Sequence, residues 1–100
     1  VNDIVKLGED QYQINGRVLL NDLQEHYGIE FEDSEDIDTI GGWLQAHNTN
    51  LQQNDYVDTE YDRWIISEID NHQIINVILR YEYNNERQTL DTDSEEDDED

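Results

Sequence analysis

A chain of 100 residues with 27 acidic and 5 basic side chains carries a formal net charge of −22, and it contains neither cysteine nor proline. That balance excludes nucleic-acid binding and repels anionic lipid headgroups, because phosphate contacts rest on neutralisation by Lys and Arg. Without cysteine there is no disulfide framework and no thiolate metal site. No apolar run nears the roughly 20 residues of a membrane span, and no basic-then-apolar segment opens the chain, so the residues given predict a soluble unit. The charge divides unevenly: residues 1–81 carry 17 acids and 4 bases, residues 82–100 carry 10 and 1, and the apolar pattern stops at Glu82. One domain is expected over 1–81, followed by an acidic, disordered tail over 82–100 that behaves as a self-repelling coil.

Ile4-Val5-Lys6-Leu7 reads as a first strand, Gly8-Glu9-Asp10 as a turn, and Tyr12 with Ile14 as the inward positions of a second strand, together a hairpin. Asn15-Gly16 is a turn signal built of residues that tolerate positive φ, with Arg17 and Val18 as a further short strand beyond it. Asn21 followed by Gln24 fits a capping box. Leu20, Leu23 and Tyr27 form a buried face, and Gly28 supplies a left-handed residue after which Ile29 can fold back on Leu23, so a first helix is expected over about 21–27. Glu30 to Asp38 then holds six acids (Glu30, Glu32, Asp33, Glu35, Asp36 and Asp38) in a loop pinned by Phe31 and Ile37.

Ile40, Trp43, Leu44 and His47 fall at i, i+3, i+4 and i+7, one helical face, with Asp38 or Thr39 as a natural N-cap. Two adjacent glycines, Gly41 and Gly42, occupy its first turn although each disfavours helix by roughly 1 kcal/mol against alanine. Close approach of the helix start to another helix or a strand explains them, with Trp43 folded over the contact. The alternative is two glycines in a loop before a helix that starts later. Asn48-Thr49-Asn50 and Gln52-Gln53-Asn54 end the helical pattern and leave Leu51 as the buried residue of that connection.

Three strands follow. Val57, Thr59 and Tyr61 alternate with Tyr56, Asp58 and Glu60; Trp64, Ile66 and Glu68 with Ile65, Ser67 and Ile69; Ile75, Val77, Leu79 and Tyr81 with Ile74, Asn76, Ile78 and Arg80. Asp62 and Asp70-Asn71-His72 make the turns. The last strand is apolar on both faces, which places it in the middle of a mainly antiparallel sheet of about five strands, in the α+β order β-β-α-α-β-β-β, against which both helices pack. Two short helices cover only one face. The apolar residues around Ile65 and Ile78 are therefore expected to pair with another copy as a two-fold homodimer, with a neighbouring domain, or with both.

Gly28 closing a helix, the acidic linker, Asp38-Thr39-Ile40-Gly41-Gly42, and three strands carrying Trp64, Ile66 and Ile75-Val77-Leu79 resemble the CorC/HlyC transporter-associated domain over about Ile4 to Tyr81. The resemblance implies a fold similar to the FAD-binding/transporter-associated domain-like fold. It also implies a cytosolic, C-terminal module that follows a membrane domain and a pair of CBS domains in hemolysin-like or magnesium/cobalt-efflux proteins. The role so implied is non-catalytic, a regulatory or interaction domain that modulates ion transport at the cytoplasmic side of the cell membrane. Its partners would be the CBS and membrane domains of the parent protein.

No residue is singled out as catalytic, cofactor-binding or metal-ligating. His26, His47 and His72 fall on helix one, helix two and a hairpin turn, with no spacing that puts two on one face. Lys6 is the sole lysine, and Ser34, Ser67 and Ser94 the sole serines; none sits in a signature of an activated nucleophile. Asp33, Glu35, Asp36 and Asp38 offer oxygen ligands for a hard cation, which makes a low-affinity divalent-cation sensor or buffer the alternative function. Asp91, Asp93, Glu95 and Asp97 imitate the start of an EF-hand loop, but Glu96 stands where its glycine belongs. Flavin adenine dinucleotide is the remote third reading. Gly41-Gly42 at a helix start faintly echoes a pyrophosphate cradle, yet Asp36 and Asp38 stand beside it and no arginine does.

Overall fold

A computed structural model describes residues 3–81. The elements are β1 (Ile4–Lys6), β2 (Gln11–Asn15), α1 (Leu20–Tyr27), α2 (Ile40–His47), β3 (Tyr56–Asp58), β4 (Arg63–Asp70) and β5 (Gln73–Arg80). The strands form one five-stranded sheet in the order β1-β2-β5-β4-β3, every neighbouring pair antiparallel. The last strand is thus central, and the α+β order matches the expected one. The acidic tail expected over 82–100 lies outside the described residues.

Alternation builds the core. Ile14, Val77 and Ile66 stand in one register row across the sheet, and Tyr12, Leu79, Trp64 and Val57 in the next row on the same face. Leu20 and Leu23 of α1 and Ile40, Trp43 and Leu44 of α2 close over that face, joined by Ile29, Phe31 and Leu51 from the connections. Burying a side chain of this size stabilises by roughly 1.5–3 kcal/mol, so this single cluster is what holds the domain together.

Two pairs of backbones meet closely where the helices begin. The Gly16 N–H donates to the Ile75 carbonyl at 2.8 Å, and the Gly41 N–H donates to the Gly16 carbonyl at 2.9 Å. A Cβ on Gly16 would lie 2.1 Å from the Ile74 carbonyl oxygen, and one on Gly41 would lie 2.9 Å from the Gly16 carbonyl oxygen. Close approach therefore explains Gly41 and, equally, Gly16; Gly42 is less constrained, its missing Cβ facing Thr39 Oγ1 at 3.1 Å. Trp43 is engaged with the acidic loop, its Nε1 donating to the Glu32 carbonyl at 2.9 Å and its ring 4.9 Å from that of Phe31.

Several local expectations are corrected. Gly28 is the only glycine with positive φ among the described residues, so Gly16 is needed for space and not for a left-handed turn. Arg17 and Val18 form no strand; Leu19 instead makes an isolated bridge to Thr39. The first helix starts at Leu20 without a side-chain cap, because the Leu20 N–H donates to the Asp38 carbonyl across that bridge at 2.8 Å, and the Asn21–Gln24 capping box is not used. Thr39 is the cap of α2, its Oγ1 accepting from the Gly42 N–H at 3.2 Å. β3 ends at Asp58, because Thr59 closes a turn onto the Asp62 carbonyl with its N–H at 2.8 Å and its hydroxyl at 3.2 Å. Between β4 and β5 the register shifts around Glu68, so Glu68 pairs Asn76 and Ile69 pairs Ile74. That irregularity reverses the expected faces: Ile69 and Ile74 join the core side, while Ile75 stays outside the core cluster.

Candidate functional site

The loop from α1 to α2 is shaped from within. Gly28 ends α1 at φ 67°, Phe31 turns into the core, the Ser34 hydroxyl donates to the Phe31 carbonyl at 3.2 Å, and the Ile37 N–H donates to the Ser34 carbonyl at 3.1 Å. Asp33 and Asp36 take positive φ of 55° and 65°, which turns the chain twice in four residues. All six carboxylates of the loop are exposed. Among the described residues Asp33, Glu35, Asp36 and Asp38 form no group of three that converges on a cation-sized space.

One such group does exist, and the sequence reading missed it. Asp22, Glu25 and His26, all exposed on α1, bring their ligand atoms within 4.8 Å of one another. The signal was the i, i+3, i+4 spacing on a single helix face. The other two histidines stay apart. His47 stacks its ring 4.1 Å from Trp43 and places Nδ1 3.2 Å from the Trp43 carbonyl, while His72 sits in the β4–β5 turn at φ 66°.

A cleft of about 1100 Å³ opens between the ends of both helices, the 58–62 turn and Tyr81. Glu30, Glu32, Asp58, Glu60 and Asp62 face it together with Trp43, Tyr61 and Tyr81, and His47 is the only lining side chain able to carry positive charge. The C-terminal ends of two helix dipoles add to the negative potential of those carboxylates. The Glu60 carboxylate, hydrogen-bonded to Tyr61 and repelling its phenolate, raises the Tyr61 pKa above 10.0. Below the cleft, Tyr81 donates its hydroxyl to the Tyr27 carbonyl at 2.6 Å, and Tyr27 packs edge-on to Tyr12 at 5.1 Å. Partial burial, then the neighbouring Tyr12, raises the Tyr27 pKa above 10.0. This arrangement attracts cations and repels phosphates.

Lys6, Ser34 and Ser67 lie on separate elements of the fold. Lys6 is exposed at the end of β1, Ser34 donates to Phe31, and Ser67 lies at the β4 irregularity. At the start of α2 the N–H groups of Ile40, Gly41 and Gly42 donate to Val18, Gly16 and Thr39 respectively. The leading donors of a pyrophosphate cradle are therefore already taken.

The fold is that of the transporter-associated domains. It superposes on a hemolysin domain from Enterococcus faecalis V583 with a TM-score of 0.72 at 17% identity, covering 80% of this chain and 98% of that one. A transporter associated domain from a Xylella fastidiosa Temecula1 hemolysin, solved in complex with Mg++ and Mn++, matches with a TM-score of 0.68 at 20% identity, covering 79% and 96%. The model of the CorC_HlyC transporter associated domain matches residues 5–82, and the chain belongs to that family. UPF0053 protein YhdP of Bacillus subtilis (strain 168) is similar, 35% identical over 74 residues that make up 74% of this chain and 16% of that protein. The chain thus corresponds to a small part of its curated relative.

Proposed function

We propose that this domain is a non-catalytic regulatory and interaction module of a membrane-anchored, CBS-containing hemolysin-like or magnesium/cobalt-efflux protein, and that it modulates ion transport from the cytoplasmic side of the membrane. The observation that carries this reading is the family match, which takes in nearly all of the described fold. Net charge of −13 over residues 3–81 holds the domain off an anionic headgroup surface, so its partners are protein surfaces of the parent chain. Removing residues 1–100 from the parent protein and following ion flux in cells or vesicles tests the reading. Altered ion dependence with normal membrane insertion is expected, and flux identical to the intact protein would overturn it.

A second reading, a low-affinity divalent-cation sensor or buffer working through the acidic loop and tail, is favoured by the Xylella fastidiosa neighbour obtained with Mg++ and Mn++. Calorimetric titration of the 100-residue chain with Mg²⁺ and Mn²⁺ separates the two readings. Saturable heat supports the sensor; heats equal to dilution remove it.

A further inference from the structure

The face of the sheet turned away from the helices carries a row that crosses every strand: Val5, Gln13, Ile78, Ile65 and Tyr56. Val5, Ile65 and Ile78 are half-buried yet stand outside the core cluster, and Tyr56 is 53% exposed. No helix or connection among the described residues packs its buried apolar side chains there, since all of those belong to the cluster on the opposite face. We infer that this face is a self-association surface on which a second copy of the chain docks in a two-fold, face-to-face sandwich.

Charge selects a second copy as the occupant. On one side of the apolar row stand Gln11, Arg80, Arg63 and Asp58; on the other stand Asn15, Asn76 and Glu68. Two of the four Lys and Arg side chains within residues 3–81 stand on this face, beside Asp58 and Glu68 and with Asp3 and Asp70 at its margin, so it is less negative than the helical side of the domain. It is the surface through which two identical acidic molecules can approach with least repulsion. A two-fold axis along the apolar row lays the Arg63 and Arg80 row of one copy over the Asn76 and Glu68 row of the other, an isologous match of opposite character. Arg63 already lies over the Tyr56 ring at 3.9 Å and bonds Asp58 at 2.7 Å, so the polar margin is ordered before association.

Area sets the strength. Five strands about 4.8 Å apart and three rows of outward side chains give a face of roughly 20 by 20 Å. With side-chain relief that is about 600 Å² of accessible surface per copy, near the lower limit of roughly 1,200 Å² in total for specific interfaces. The dimer is therefore weak, with a dissociation constant on the order of tens of micromolar.

Sedimentation velocity of the 100-residue chain over a range of concentrations tests this. A reversible monomer to dimer shift is expected. It should strengthen several-fold as salt rises from about 20 to about 300 mM, because screening relieves the repulsion between two copies at −22 each. Ile65→Asp should weaken the dimer at least tenfold while leaving the circular dichroism spectrum intact. Because that variant could also unfold, the native absence of cysteine provides a second measurement. Ile78→Cys, on the axis, should give a covalent dimer with a bismaleimide reaching about 10 Å, the usual spacing of packed sheets, whereas Glu25→Cys on α1 should not. A monomer at every concentration and ionic strength overturns the inference, as does a dimer that crosslinks through position 25 and not through position 78.

Discussion

Gly16 is the residue on which the helices are hung from the sheet, and Gly16→Ala should be the most damaging single methyl that can be added to the domain. The new Cβ would stand 2.1 Å from the Ile74 carbonyl oxygen, a backbone atom held in the sheet. A normal carbon to oxygen contact needs about 3.3 Å, so the turn after β2 must retreat by roughly 1 Å. That retreat breaks the 2.8 Å bond from the Gly16 N–H to Ile75 and drags on the 2.9 Å bond from Gly41 to Gly16. Overpacking contributes roughly 1–3 kcal/mol and each lost hydrogen bond about 0.5–1.5 kcal/mol, so a loss of about 2–4 kcal/mol is expected. For a domain of this size that corresponds to a melting temperature lower by about 10–25 °C. Urea denaturation followed by fluorescence reads it directly, since Trp43 and Trp64 are both buried and become exposed together on unfolding. A loss below about 1 kcal/mol would refute the steric reasoning, because no flexible side chain stands at that contact to give way.

The neighbouring glycines supply an internal contrast: Gly41→Ala, 2.9 Å from the Gly16 carbonyl oxygen, should be less stable than Gly42→Ala by about 1–2 kcal/mol, since both gain the same helix propensity. Equal urea midpoints for the two would remove the distinction. Thr39→Ala deletes the acceptor of the Gly42 N–H and should cost about 0.5–2 kcal/mol by the same assay, with no measurable loss arguing against the cap. Tyr27 has a folded pKa raised above 10.0, so it contributes stability that is fully present below pH 10.0 and lost as pH rises through the folded value. Tyr27→Phe should flatten that alkaline fall in stability, and an unchanged slope above pH 10 would show that the burial of Tyr27 is not its source.

The parts of the fold that were legible are those fixed by neighbours in sequence. The Ile40, Trp43, Leu44 spacing, a cap at Asp38 or Thr39 and the left-handed Gly28 each act within one or two turns and read from the residues, the structure choosing Thr39 as the cap. The parts that were not legible depend on distant partners. Asn21 looked like a cap, but the Leu20 N–H finds the Asp38 carbonyl eighteen residues away, and no local pattern announces that. The switch of faces at Glu68 is also non-local, arising where β4 and β5 fall out of step beside the point at which Gly16 meets Ile75. The turn signal of Asn15-Gly16 was legible and a turn stands there, the Val18 N–H donating to the Asn15 carbonyl at 3.0 Å, but the close approach of Gly16 to Ile74 was not, because it depends on a strand 58 residues away. As for the candidate site, the acidic loop was visible as composition, but its splayed carboxylates follow from the positive φ of Asp33 and Asp36, which composition does not encode.

Charge is sorted by side in this fold, and the sorting follows from the topology. α1, α2 and the loop between them are consecutive in the chain and lie on one face, so Asp22, Glu25 and the six carboxylates of Glu30 to Asp38 all belong to that layer. Arg17, just before α1, and Lys6, in register with Tyr12 at the sheet edge, are the Lys and Arg residues on that side, while Arg63 and Arg80 stand on the opposite face, beside the apolar row. The helical layer therefore repels any second acidic surface, and the sheet face does not. Screening shortens that repulsion to about 8 Å at physiological ionic strength, roughly the depth of one layer of side chains. Its effect is then to decide which face makes contact at close range, and not to set long-range attraction. A partner that approaches from the helical side meets eight carboxylates and must bring cations or basic residues to stay, whereas one that approaches from the sheet meets apolar surface bordered by both signs of charge.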